Sequence, residues 1–129
     1  MQHVADVKSL TEFFGVEPEL EYPGIPFDQN VVRFNVDLEN TNVWFNFFAP
    51  SSFAQLRIRG TPFSIVKLNF SAITHLSVRK TAEDHYLHLR FASSELEPLT
   101  LYLRPQLCLF WGNEVDISDD PHLEPVSDI

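Results

Sequence analysis

From Val31 to Trp111, apolar and polar side chains alternate at a period of two, the spacing of strands that turn one face to a core. Val32, Phe34, Val36 and Leu38 alternate with Arg33, Asn35 and Asp37. Glu39-Asn40-Thr41-Asn42 has the chemistry of a turn. Beyond it, Val43, Phe45 and Phe47 alternate with Trp44, Asn46 and Phe48, and the two segments predict a hairpin. The second is largely apolar on both faces, so it is central, or one of its faces meets a partner.

The rhythm then repeats. Leu56 and Ile58 alternate with Arg57 and Arg59 up to Gly60-Thr61-Pro62. Residues Phe63–Phe70 and Ile73–Lys80 follow, separated only by Ser71-Ala72. Leu87, Leu89 and Phe91 oppose Tyr86, His88 and Arg90, and Leu99, Leu101 and Leu103 oppose Thr100, Tyr102 and Arg104. Leu107–Trp111 reads as a last buried strand. Seven or eight short strands about ten residues apart predict a mainly β domain: an antiparallel sandwich, barrel or curved sheet.

The N-terminal segment has a different period. Ser9-Leu10-Thr11-Glu12 has the form of a capping box, and Gly15 suits a helix stop, so a short helix is expected over 9–14. Val4, Val7 and Leu10 offer an earlier start on one helical stripe. Such a helix would cover an edge or end of the sheet. Pro18, Pro23, Gly24 and Pro26 make Glu17–Gln29 a loop. The expected organisation is one β-rich domain over 1–113 and an acidic, partly mobile tail over 114–129, which contains Pro121 and Pro125.

Composition agrees with a folded domain: 44% of the 129 residues are hydrophobic and 13% aromatic, with twelve Phe. The lone Cys108 excludes an intramolecular disulfide and reads as a small buried hydrophobe. Met1–Leu10 lacks the apolar core of a signal peptide, and no run approaches the ~18 apolar residues that span a bilayer. A reducing, cytoplasmic setting away from membranes is expected.

The net charge of −9 is unevenly spread: −5 over residues 1–30, +2 over 31–113 and −6 over 114–129. Proteins that track phosphates carry the opposite sign, so nucleic acid is not an expected partner, although the middle leaves room for a small basic face.

Candidate chemistry is sparse. No phosphate-cradling Gly loop, nucleophile elbow or dinucleotide fingerprint is present, and no cofactor is expected. His85 and His88, three apart in a strand, point to opposite faces and cannot share an ion; His75 could meet His88 only across paired strands. No metal site is assigned. Glu17, Glu19 and Glu21 lack the Gly turn of a calcium loop and read as a solvated acidic loop. If the strands containing Tyr86, His88, Arg90 and Thr100, Tyr102, Arg104 pair, six hydrogen-bonding side chains form one candidate binding face. Trp44, Phe48 and Phe53 form a candidate aromatic interface. No catalytic residue is assigned.

Three functions follow. The first is a non-enzymatic interaction domain, of the acidic inhibitor, immunity or accessory kind, that docks a cationic protein partner or self-associates. The second is a binder of small apolar ligands with a cavity lined by Phe and Leu. The third is an enzyme using Tyr86, His88, Arg90 and Tyr102 in a polar cleft.

Overall fold

A computed structural model describes residues 1–60 and 65–112; the tail expected over 114–129 lies outside them. Among the described residues ten strands and one α-helix, besides two single 3-10 turns, follow in the order β1 (His3–Val4), α1 (Val7–Phe14), β2 (Glu19–Leu20), β3 (Val31–Leu38), β4 (Thr41–Phe48), β5 (Phe53–Gly60), β6 (Ile65–Phe70), β7 (Ile73–Lys80), β8 (His85–Phe91), β9 (Leu99–Tyr102) and β10 (Cys108–Trp111). The first sheet has the order β2-β3-β4-β5-β6, and the second β1-β7-β8-β9-β10. All pairings are antiparallel except that of β1 with β7. The result is a mainly β, two-sheet architecture with a short helix, as the alternation predicts.

The period of two decides which face is dry. Val32, Phe34 and Val36 of β3, Val43, Phe45 and Phe47 of β4, and Ala54 and Leu56 of β5 are buried. From the second sheet Leu76, Leu87, Leu89, Leu99 and Leu101 join the same core. The predicted hairpin forms with Val31 opposite Phe48 and Leu38 opposite Thr41, and β4, apolar on both faces, is the middle strand. Asn40 takes its tight turn at φ +69°, a conformation Asn tolerates well. Ser71-Ala72, rather than closing a hairpin, carries the chain from the first sheet to the second.

The helix starts earlier than the capping box implies. Its N-cap is Asp6, whose carboxylate accepts from the Ser9 backbone N–H at 2.7 Å; that bond holds the Asp6 pKa below its ordinary value. An ionised carboxylate is a stronger acceptor than a serine hydroxyl and suits the positive end of the helix dipole. This corrects the 9–14 expectation and agrees with the earlier start. Gly15 ends the helix at φ +78°, with its N–H on the Thr11 carbonyl. Leu10, Phe13 and Phe14 are buried, and the helix bridges both sheets. Phe14 stacks on Phe34 at 4.4 Å and on Phe45 at 5.7 Å, while Phe13 meets His85 edge-on at 5.4 Å. No described helix is long and apolar enough to cross a membrane.

A second correction concerns β10. Among the described residues it is an edge strand, paired on one side only, and Phe110 and Trp111 are 57% and 48% exposed, which corrects the expectation of a buried strand. Cys108 is accordingly half-buried.

Candidate functional site

Pairing of β8 with β9 brings five of the six predicted polar residues onto the outer face of the second sheet. Tyr86 lies opposite Tyr102 and His88 opposite Thr100. Across β7, Arg79, Ser77 and His75 oppose Tyr86, His88 and Arg90. The rings form a strip: Tyr86–Tyr102 at 5.3 Å, Tyr102–Phe110 at 6.1 Å and Tyr86–His88 at 6.3 Å. His88 is 5% exposed at its centre. His75 does not meet His88; it lies beside His3, with ring centroids 6.3 Å apart.

Arg104 leaves this face, which corrects its assignment. Strand β9 ends at Tyr102, so alternation no longer aims the side chain. Its guanidinium instead donates to the carbonyls of Phe13 and Phe14, at 3.1 and 3.3 Å, at the open end of α1. A cation there satisfies carbonyls that the helix leaves unpaired and opposes the helix dipole. Arg104 is thus a helix cap. A Cβ at Gly15 would stand 2.9 Å from its Nη2 atom, so a side chain there would displace the guanidinium, and the φ of +78° favours glycine in any case.

Trp44, Phe48 and Phe53 all point to the outer face of the first sheet and are half-buried. Phe48 and Phe53 are direct cross-strand neighbours. Trp44 lies two rows away, covered by the Arg57 guanidinium at 4.5 Å from its ring centre. They share a face without forming one continuous row.

The acidic loop of residues 17–29 is more organised than its sequence suggests. Beside the carboxylates it displays Leu20, Tyr22 and Ile25, exposed by 37, 51 and 43%. Its conformation is pinned by Asn30, which is fully buried. The Asn30 side-chain carbonyl accepts from the Tyr22 N–H at 3.0 Å, and its amide donates to the carbonyls of Tyr22 and Ile25 at 2.7 and 3.1 Å. At the loop's start, Glu21 is held by the Tyr22 hydroxyl and by Arg33, which together keep its carboxyl below the usual range. The segment is not the plain loop that its Pro and Gly content predicts: it contains β2, which pairs with β3 at the edge of the first sheet. The sequence signal available for it is a pair of large apolar or aromatic residues, Tyr22 and Ile25, set among Pro, Gly and Glu.

Three recesses, of about 370, 390 and 330 Å³, open on the described surface. None is lined by Phe or Leu, and none includes His88. Among the described residues no group of three His, Cys, Asp or Glu side chains is placed to hold a metal. The pKa of His85 is shifted. Burial against Phe13, with Lys80 and then Arg104 nearby, holds it below its ordinary 6.5 against the opposing pull of Glu12. The unfolded chain therefore takes up this proton more readily than the folded one. Stability is expected to be full above about pH 6.5 and to decline as pH falls below it. Urea midpoints measured from about pH 8 to about pH 5 check this, with His85→Gln flattening the decline.

No protein family matches this sequence, and no curated protein is similar to it. A solved structure shares its fold. It is a chain of the contact-dependent growth inhibition toxin–immunity protein complex from Klebsiella pneumoniae 342. The TM-score is 0.70 at 17% identity, and the match covers 86% of this chain and 96% of that one. At that identity the likeness establishes a common fold.

Proposed function

We propose that this chain is a non-enzymatic interaction domain of the immunity type that docks a cationic protein partner. The observation that carries the reading is the fold it shares with nearly the whole of a chain from a toxin–immunity protein complex. Charge supports it: the chain carries −9, and opposite charge accelerates association. The acidic edge loop is the proposed contact element. Leu20, Tyr22 and Ile25 offer apolar surface within a field set by Glu17, Glu19 and Asp28, and Tyr is a frequent energetic anchor of interfaces. Because Asn30 already holds the loop, little ordering remains to be done on binding. Tyr86, His88, Arg90, Thr100 and Tyr102 form a proposed second contact surface. A cytoplasmic setting belongs to the same proposal.

Affinity capture from lysate of the source cell, followed by reconstitution from purified components, tests this reading. The expected result is a one-to-one protein complex whose association slows about tenfold or more between about 0.02 and about 0.3 M salt. A co-purifying small molecule with no stoichiometric protein would overturn it in favour of ligand binding.

A further inference from the structure

The outer face of the first sheet holds a cluster of the opposite sign. Arg57 and Lys67 are direct cross-strand partners, and Arg59 stands two residues from Arg57 on the same face. Like charges placed directly opposite one another destabilise a strand pair. Among the described residues no carboxylate forms an ion pair with any of the three; the ion pair seen is Arg33 with Glu21. The next carboxylate in the row, Asp37, accepts instead from the Asn42 amide at 2.9 Å. All three cations are exposed and, with Asn35, Asn42 and Trp44, line the recess of about 330 Å³. Arg57 is fixed over the Trp44 ring at 4.5 Å, which leaves its guanidinium edge directed for hydrogen bonding.

We infer that this recess is a carboxylate-binding site that takes a short acidic segment of a protein. Three cations in one row and the next, without an ion-pair partner among the described residues and beside two side-chain amides, supply the donors that carboxylates accept. The size suits one or two acidic side chains. The surroundings argue against a long polyanion: Asp37 and Glu39 adjoin one end, Glu19 and Glu21 lie across the sheet, and the whole chain is strongly negative. The inference concerns a different face and the opposite charge from the proposed docking loop, so it stands or falls separately.

Trp44 reports on the site. In a Trp111→Phe background, where it is the remaining tryptophan, its fluorescence is followed during titration with a hexaglutamate peptide at low salt. A saturable change with a midpoint below about 1 mM is expected, weakened about tenfold or more by Arg59→Glu and by Lys67→Glu. Lys67→Glu places a carboxylate opposite Arg57, so its melting temperature is expected to rise by about 1–4 °C while binding weakens. That combination separates a ligand site from a structural role. No saturable change, or one that both variants leave intact, overturns the inference. Equal binding of hexalysine does the same. Tighter binding of inorganic phosphate or of hexathymidylate overturns the acidic-segment assignment and makes the site a phosphate site.

Discussion

Phe14→Ala is expected to lower the unfolding free energy by about 3–5 kcal/mol and the melting temperature by about 11–18 °C. Phe14 is fully buried, and its ring touches three others: Phe13 at 4.9 Å, Phe34 at 4.4 Å and Phe45 at 5.7 Å. Those contacts are how an eight-residue helix is held, since a helix this short does not persist alone in water. Truncation leaves a cavity beneath the helix that Phe34 and Phe45, fixed in β3 and β4, cannot close. Against a total stability of about 5–15 kcal/mol for a domain, this loss is large. Val7→Ala, on the exposed side of the same helix, is the control and should stay within about 0.5 kcal/mol of the parent. Thermal and urea unfolding measure both. A Phe14→Ala loss below about 1 kcal/mol would mean that the helix does not hold the sheets together.

Asn30→Ala is expected to cost about 1–3 kcal/mol, because it takes the side-chain partner from the Tyr22 N–H and the Ile25 carbonyl and leaves the Tyr22 carbonyl with the Ile25 N–H at 3.2 Å. Asn30→Asp should be no better. It keeps the acceptor for the Tyr22 N–H but turns an oxygen toward two carbonyls that now receive an amide, and it buries a charge inside an acidic loop. Both variants should also open residues 20–29 to protease before the sheets unfold, which limited proteolysis detects. Retention of full protease resistance would show that the loop is held by other contacts.

How much of this was legible in the sequence depends on what fixes each element. Strands β3 to β9 announce themselves because alternating burial writes a period of two over several residues. The two-residue strands β1 and β2 leave no periodicity to read; their pairing is decided by the sheets they meet. An apolar run such as Leu107–Trp111 predicts a strand but not its place at an edge, since the order of strands is set by the whole topology. Extending the alternation past Tyr102, where β9 stops, puts Arg104 on the polar face, and only the packed helix reveals its role. The polar strip of Tyr86, His88, Thr100 and Tyr102 was legible because it needs only two facing strands. Asn30 was not, since its partners are backbone groups that carry no side-chain signature. The cationic cluster of Arg57, Arg59 and Lys67 was legible only as the +2 of the middle of the chain, since bringing Lys67 beside Arg57 takes the pairing of β5 with β6.

The most direct test is the affinity of the reconstituted complex when Tyr22 and Ile25 are both replaced by Ala. The proposed docking mode predicts a loss of about 2–4 kcal/mol in binding, roughly thirtyfold to a thousandfold, with a melting temperature close to that of the parent. Unchanged affinity for a partner that the parent chain binds stoichiometrically would contradict it.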